Sequence, residues 1–253
     1  MPNYENEWWP LIYDQFNHGR HEKELAFYTA ALRDCTGPVL EIACGTGMIL
    51  LELLARGVDI YGLDISPTML DVLYAKAARR GVADIRERVT CQNMVDFVYD
   101  MAFDAIFIPA RSFLHLTRQE EQIACLRRVH THLADGGKLL LNFFTPNLKL
   151  LLAYSKPSAG FMPWGTFTAP DTGEAIHLSV SQTNDVVHQV QHVTWRFQSE
   201  RMDRTTEMFV RWIYKEEFQL LLRLAGFTRW QFYSGFNKHP YDGHDEMVWI
   251  AEK

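Results

Sequence analysis

The sequence VLEIACGTG at residues 39–47, followed by GLD at residues 62–64, describes a strand, a glycine turn and a second strand that ends in a carboxylate. The apolar, β-prone residues that open the first segment predict a buried parallel strand. Gly45 and Gly47 allow the backbone to turn tightly and to approach a ligand without obstruction from a Cβ atom. The two segments together predict a pocket for a nucleoside.

Asp64, the last residue of the second segment, lies 19 residues after Gly45. A carboxylate at about this offset accepts both hydroxyl groups of a ribose. A dinucleotide fingerprint also requires a glycine three residues after Gly47, where this chain has Leu50. Glu41 lies inside the end of the first strand, where it would repel a diphosphate and suit the cationic ammonium of a methionine moiety. The pattern therefore favours S-adenosylmethionine over a dinucleotide.

The run Glu41–Gly47 resembles the first motif of the class I S-adenosylmethionine-dependent methyltransferases, acidic-x-Gly-x-Gly-x-Gly, with Ala43 in place of the first glycine. Residues 103–108 are similar to the family's fourth strand, and residues 133–141 to its turn into the fifth strand. The resemblance covers about residues 37–144 and is to the small-molecule branch, the glycine and amino-sugar N-methyltransferases. It implies an α/β fold with a doubly wound, mostly parallel, Rossmann-like sheet of seven strands.

The resemblance also implies the cofactor, S-adenosyl-L-methionine, which leaves as S-adenosyl-L-homocysteine. Asp64 takes the place of the acid that binds the ribose. Asn93 takes the place of the residue whose side-chain oxygen accepts a hydrogen bond from the adenine amino group. The other residues expected to hold or line the cofactor are Glu41, Ala43, Cys44, Gly45, Gly47, Ile65, Met69, Met94 and Ala110.

Three residues are candidates for catalysis, each with a structural alternative. His115 resembles a histidine of the amino-sugar enzymes and can position or deprotonate an acceptor, because its pKa lies near neutrality, but it can equally orient the following helix. Arg111 can pair with an anionic group of the substrate, or with Glu120 or Glu121. Tyr13 resembles an N-terminal tyrosine that closes over donor and acceptor in the glycine and amino-sugar enzymes, with core packing as the alternative.

Strands and helices alternate regularly in the first part of the chain, after an N-terminal stretch at residues 8–32 that predicts one or two helices. This alternation predicts a parallel sheet that is covered by helices on both faces. The strands are expected near residues 38–43, 58–63, 86–91, 103–109 and 137–144, and the helices near residues 47–57, 67–80 and 117–133.

The pattern changes after Phe144 to long segments that alternate polar and β-branched residues, which predicts antiparallel strands. Three such strands are expected at residues 175–181, 186–197 and 205–214, with turns at 170–173 and 184–185. A helix at residues 215–225 and two strands at 227–233 and 246–251 follow. We therefore expect three parts: N-terminal helices with a cofactor-binding core at 1–145, an inserted antiparallel β lid at 146–214, and the final helix with a closing hairpin at 215–253.

The insertion is rich in aromatic side chains, and we hypothesise that it covers the substrate. The alternative is that these side chains fill the core of the insertion itself or a dimer interface. The residues concerned are Phe161, Trp164, Phe167, Trp195, Phe197 and Trp212.

The composition narrows the expected partners. The chain has 253 residues, a net charge of −6 and no long run of Lys or Arg, so a nucleic-acid partner is disfavoured. No apolar stretch approaches the roughly 20 residues that a membrane span needs, so we expect a cytoplasmic protein without a membrane partner. The acidic pair that catechol-type enzymes use for magnesium is absent, and we expect no metal. The expected partner is a small-molecule acceptor, and the expected oligomeric state is a monomer or a homodimer.

Two other functions stay open at this level. One is a cofactor-binding protein without turnover that acts as a sensor or activates another subunit. The other is a dehydrogenase that uses the same pocket for a nicotinamide dinucleotide, against which Leu50 and Glu41 argue.

Overall fold

The computed structural model describes residues 9–155, 160–169 and 172–253. The helices are α1 (Trp9–Ala31), α2 (Leu50–Ala55), α3 (Pro67–Arg79), α4 (Ile85–Arg88), α5 (Gln119–His132), α6 (Leu148–Ala153) and α7 (Lys215–Ala225). The strands are β1 (Val39–Ile42), β2 (Ile60–Asp64), β3 (Val89–Cys91), β4 (Phe103–Ile108), β5 (Leu133–Phe144), β6 (Met162–Thr168), β7 (Ala175–Asp185), β8 (Val190–Gln198), β9 (Asp203–Arg211), β10 (Arg229–Ser234) and β11 (Glu246–Glu252).

The larger sheet has seven strands in the order β10-β11-β5-β4-β1-β2-β3. Strands β1 to β5 pair in parallel, and β11 runs antiparallel to both β5 and β10. The strand order reverses between β1 and β4, where a crevice opens beyond the carboxyl ends of the strands. The predicted fold class, a mostly parallel seven-stranded sheet with an antiparallel insertion after the fifth strand, is confirmed.

Alternate residues of the central strands fill the cores on the two faces of this sheet. Leu40 and Ile42 of β1 pack with α5 and α7, whereas Val39 packs on the opposite face with α1, α2 and α3. Successive side chains of a strand point to opposite faces, so Glu41 shares the face of Val39. A carboxylate is thus placed in the layer that α1 covers.

The smaller sheet is antiparallel, in the order β6-β7-β8-β9, and it packs against the first half of α1. Sequence analysis predicted three of its strands and missed β6. Pro163 and Gly165 interrupt the β6 pattern, its pairing with β7 shifts register between them, and most of its residues are exposed. The missed strand lies at the sheet edge, where proline is tolerated.

Three further expectations are corrected or completed. The strand predicted at residues 86–91 is shorter, because residues 85–88 form the short helix α4. The turn predicted at residues 184–185 lies later, since these residues still belong to β7. The N-terminal stretch forms one helix, α1, from Trp9 onward. In the turn predicted at residues 170–173, Pro170 and Asp171 lie outside the described residues.

Candidate active site

The turn after β1 is built from three residues with left-handed backbone. The φ angles of Ala43, Gly45 and Gly47 are 59°, 52° and 77°. A Cβ atom on Gly47 would lie 2.8 Å from Cγ of Leu73 in α3, so a side chain at this position would also clash. Ala43 adopts the same conformation with a Cβ atom, which costs roughly 1–2 kcal/mol relative to a right-handed backbone.

Close packing of α2 against β2 depends on a glycine outside the first motif. A Cβ atom on Gly62 would lie 2.5 Å from Cδ1 of Leu50 and 3.0 Å from Sγ of Cys44. Leu50, which replaces the third glycine of a dinucleotide fingerprint, therefore fills the space that the missing side chain of Gly62 leaves. In the sequence, Leu50 argues only against a dinucleotide, and no pattern predicts its contact with Gly62.

Asp64 ends β2 and holds the two loops that flank the crevice. Its Oδ2 accepts the backbone N–H of Gly45 and its Oδ1 accepts that of Ser66, each at 2.8 Å. A carboxylate has about four acceptor positions, so capacity for ribose hydroxyls remains. Burial raises the pKa of Asp64, and the backbone donors of Ser66 and Gly45 oppose that rise.

Glu41 is the second buried carboxylate of the site, only 2% exposed. Among the described residues, its Oε2 has no hydrogen-bond partner. Burial, and then the nearby charges of Glu24 and Asp64, raise its pKa well above the usual value. A buried carboxylate oxygen without a partner is costly, and an ammonium group would satisfy it. The site thus fits the methionine end of S-adenosylmethionine.

A cavity with about 410 Å³ of empty space, including its mouth, opens beside Glu41. One wall is the turn after β1, another is the loop after β4 at Pro109 and Ala110, and the third is a face of α1. The residues of α1 that line it recur at helical spacing: Tyr13, Asn17, His21 and Glu24. The turn residues that line it include Ala43, Cys44, Gly45 and Thr46.

Of the four lining residues of α1, sequence reasoning identified Tyr13 alone. A polar stripe at positions i, i+4, i+8 and i+11 on a predicted helix was the available signal for the others. Aromatic residues that face the smaller sheet, such as Trp9 and Phe16, obscure this polar stripe in the sequence.

The first half of α1 is fixed over the turn by ionic and polar contacts. Thr46 donates its hydroxyl proton to Asp14 at 2.6 Å, and Asp14 also forms an ion pair with Lys76 of α3. Lys76 donates a further hydrogen bond to the carbonyl oxygen of Thr46 at 2.9 Å. Helix α1 is thereby joined to the glycine turn.

The residues predicted around the adenine follow β2 and β3 or lie in α3, and none of them lines the cavity. The side-chain oxygen of Asn93 accepts the backbone N–H of Val95 at 3.2 Å, and Ile65 is exposed at the surface. Met69 packs with the aromatic residues of α1 and the smaller sheet, and Met94 packs against the sheet core. The adenine assignment of these residues stays a prediction.

Arg111 and His115 follow β4 but do not line the cavity. Ala110 and Arg111 have φ angles of 57° and 64°, which turns the chain sharply after the strand. Arg111 donates to Glu246 of β11, with Nε 3.0 Å from each carboxylate oxygen, so its partner is neither Glu120 nor Glu121.

His115 Nδ1 lies 3.3 Å from the carbonyl oxygen of Phe209 in β9, so Nδ1 carries the proton in this contact. Burial lowers the pKa of His115 to about 4, and the contact with Phe209 opposes the decrease. The imidazole is therefore neutral at neutral pH. Its role, and those of Arg111 and Tyr13, stay predictions.

A buried polar network connects the cavity to the closing strands. Asn142 of β5 accepts the hydroxyl of Tyr28 at 2.8 Å and donates to Glu24 at 3.1 Å and to Glu246 at 2.8 Å. One amide thus holds a carboxylate of the cavity and the carboxylate that pairs with Arg111. These residues are far apart in the sequence, which shows no motif for them.

Comparison with known proteins finds relatives of this architecture. A family model described as a methyltransferase domain matches residues 39–137. This part of the chain is similar to a methyltransferase domain. The resemblance to class I methyltransferases is thus confirmed, over the residues that form the turn and strands β1 to β4.

Relatives and solved structures of this domain extend the comparison. Cypemycin N-terminal methyltransferase of Streptomyces sp is 32% identical over 108 residues, which are 43% of this chain and 42% of that protein. The chain therefore spans less than half the length of this relative. Putative methyltransferase YqeM of Bacillus subtilis is 25% identical over 96% of this chain and 94% of its own. The structure of sugar N-methyltransferase KedS8 of Streptoalloteichus sp has a TM-score of 0.71, with 18% identity, over 95% of this chain and 92% of its own.

Within residues 9–155, 160–169 and 172–253, no helix combines the length and the apolar character that a bilayer crossing requires.

Proposed function

We propose that the chain transfers a methyl group from S-adenosylmethionine to a nitrogen or oxygen of a small-molecule acceptor. The observation that carries this proposal is the unpartnered, buried carboxylate oxygen of Glu41 at the cavity beside the glycine turn. Asp64, which still has acceptor capacity, ends β2 and accepts the backbone N–H of Gly45 in the same turn. One carboxylate suits the ammonium group and the other suits the ribose hydroxyls.

Residues of the cavity and of the neighbouring strand ends would hold the cofactor from several sides. Glu41 would accept the ammonium, Asp64 the ribose hydroxyls and Asn93 the adenine amino group. When bound, S-adenosylmethionine supplies a methyl group on a positively charged sulfur, which an acceptor displaces in line. Gly45 and Gly47 allow the backbone to come close to the ligand.

The catalytic contribution of the protein is mainly alignment and exclusion of water. Helix α1 covers the cavity opposite Ala110, so Tyr13 and His21 face the space in which an acceptor would meet the methyl group. We assign Tyr13 to positioning of the acceptor. His115 and Arg111 hold the segment after β4 against β9 and β11, and we assign them to fixing that wall.

The character of the cavity and the names of relatives support a nitrogen acceptor over an oxygen acceptor. Glu24 and Glu41 line the cavity, and no Lys or Arg does so among the described residues. A cationic or amine-bearing acceptor is compatible with that charge, whereas an anionic acceptor is repelled. One relative is named a cypemycin N-terminal methyltransferase, and KedS8 is named a sugar N-methyltransferase.

Calorimetric titration with S-adenosylhomocysteine and with NAD tests the cofactor assignment. The proposal expects saturable binding of S-adenosylhomocysteine and none of NAD at the same concentrations. Consumption of S-adenosylmethionine with a panel of amines and phenols then tests turnover. Tight binding without turnover of any acceptor would favour a sensor or an activating subunit, and binding of NAD alone would favour a dehydrogenase.

A further inference from the structure

An aromatic surface lies next to the cavity, between α1 and the smaller sheet. It consists of Trp9 and Phe16 of α1, Trp164 of β6 and Trp195 of β8, and we call these four residues the aromatic wall. The rings of Phe16 and Trp164 stack with centroids 5.7 Å apart and planes 25° apart. Trp195 meets both Phe16 and Trp164 edge to face, at 5.3 Å each.

The wall has an open end at Trp164. Trp9 and Trp195 are buried, but 57% of the Trp164 surface is exposed. Phe16 covers one face of the indole and Trp195 meets it edge to face, which leaves the remaining surface to solvent. Large aromatic side chains dominate the energetics of interfaces, so the exposed indole at the end of this stack offers a surface on which a further ring can pack.

The wall is continuous with the cavity through α1. Tyr13 and Asn17 line the cavity, and Phe16 lies between them on the same helix turn. The ring of Tyr13 is 5.9 Å from that of Trp9, and Trp9 is 5.1 Å from Phe16. Gln15 fixes the geometry by donating to the carbonyl oxygen of Thr168 in β6 at 2.9 Å.

We propose that the aromatic wall binds an aromatic ring system of the methyl acceptor, a few bonds away from the atom that is methylated. This inference rests on the proposed function and names a substrate class for it: an amine attached to a flat aromatic group. The amine end enters the acidic cavity beside Tyr13, and the ring lies on the face of Trp164 that Phe16 leaves open. Small polar amines lack the ring and bind more weakly.

The other aromatic residues of the insertion separate into those that fill the core of the smaller sheet and those that are exposed. Phe197 is fully buried and Phe167 packs against α1, so these two serve the core of the sheet. Trp212 is buried as well. Among the described residues, the exposed aromatic side chains are Phe161, Trp164 and Tyr214, and the first two lie at the start of β6 or just before it.

Binding to the complex with S-adenosylhomocysteine tests the proposal. The probes are 2-naphthylmethylamine, which carries the ring, and ethylamine, which does not. The wild-type complex is expected to bind the naphthyl amine saturably and at least tenfold more tightly than ethylamine. Trp164→Ala is expected to weaken naphthyl binding about tenfold, since it removes both the stacking partner and its apolar area, and Trp164→Phe is expected to restore most of it.

Controls separate the wall from the rest of the site. Tyr214→Ala removes an exposed aromatic residue outside the wall and should leave naphthyl binding unchanged. Affinity for S-adenosylhomocysteine should be the same in the wild type and Trp164→Ala, because Trp164 does not line the cavity. If the wild type does not bind S-adenosylhomocysteine, the proposed function is refuted. This inference is then refuted too, because it rests on that function.

Two results would overturn the inference while the proposed function stands. One is naphthyl binding that is absent in the wild type or equal in Trp164→Ala. The other is a wild-type dimer that Trp164→Ala converts to a monomer in sedimentation velocity, which would assign the surface to a second copy of the chain.

Discussion

Asp64 and Gly45 are joined by a hydrogen bond of 2.8 Å from the backbone N–H of Gly45 to Oδ2 of Asp64. The bond connects the turn after β1 to the end of β2, the two segments that the sequence pattern singled out. The carboxylate proposed to bind ribose therefore also holds the turn that would contact the rest of the cofactor. The shape of the site and its proposed binding of ribose thus depend on the same side chain.

Replacement of Asp64 by alanine should weaken binding of S-adenosylhomocysteine by about 2–4 kcal/mol. The change removes a charge-assisted contact to the ligand and leaves the backbone N–H groups of Gly45 and Ser66 without their partner. Isothermal calorimetry on folded protein, checked by circular dichroism, measures the loss. The control is Glu120→Gln, an exposed carboxylate on α5, which should bind as the wild type does. Unchanged affinity in Asp64→Ala would contradict the site.

Binding of S-adenosylhomocysteine should strengthen as the pH rises. The pKa of Glu41 is raised in the free protein by burial and by Glu24, so the free carboxyl holds its proton to a higher pH than usual. A ligand ammonium favours the ionised form, and binding then releases a proton. Between the pKa in the complex and the raised pKa in the free protein, affinity should increase up to about tenfold per pH unit.

Glu41→Gln provides the matched control for that pH dependence. The variant keeps the size and polarity of the side chain but cannot ionise, so the release of a proton from position 41 disappears. The titration of the ligand's own amino group remains in both proteins. Calorimetry in buffers of different ionisation enthalpy counts the released protons. Equal pH profiles in the wild type and Glu41→Gln would show that Glu41 does not meet the ammonium.

Replacement of Ala43 by glycine should stabilise the protein by up to about 1 kcal/mol. Alanine at a φ of 59° is strained, whereas glycine adopts this conformation without a Cβ penalty. The larger entropy of glycine in the unfolded chain offsets part of the gain. Ala75→Gly, an exposed position in the middle of α3, should instead destabilise by about 1 kcal/mol. Urea unfolding measures the change in the free energy of unfolding for both variants. A destabilised Ala43→Gly would contradict the strain assigned to Ala43.

Sequence patterns predicted the parts of this molecule in which local chemistry determines the structure. Glycines at 45 and 47 and the carboxylate at 64 identify the turn and the strand end bonded to it, because both depend on backbone conformation and strand order. Helix α7 was predicted with its own bounds, 215–225, since Gly226 ends it with a left-handed φ of 105°.

The parts that sequence patterns missed depend on contacts between distant segments. Glu24 enters the cavity because Asn142, 118 positions later in the chain, donates a hydrogen bond to it. Arg111 pairs with Glu246, 135 positions away, rather than with the acidic residues close to it in the sequence. No local spacing encodes these partners, since tertiary packing selects them after the sheet has formed.

Arg211 of β9 joins the smaller sheet to the core, and its replacement by alanine should destabilise the protein by about 3 kcal/mol. The buried guanidinium donates to Glu217 of α7 at 2.6 Å and to Gln122 of α5 at 3.2 Å, so the change leaves a carboxylate without its cation. Burial raises the pKa of Glu217, but hydrogen bonds from Gln189, Arg211 and Gln119 outweigh it, and the net pKa is lowered.

A folded-state pKa below the unfolded value means that the contribution of Glu217 is present above the unfolded pKa and is lost as the pH falls through the folded one. Urea unfolding at pH 7 and at pH 3 should therefore show a smaller difference between Arg211→Ala and the wild type at the lower pH. Arg196→Ala provides the comparison, because it breaks the exposed ion pair between Arg196 of β8 and Asp203 of β9. It should destabilise the protein much less than Arg211→Ala. Equal losses in the two arginine variants would show that the buried pair does not connect the sheet to the core.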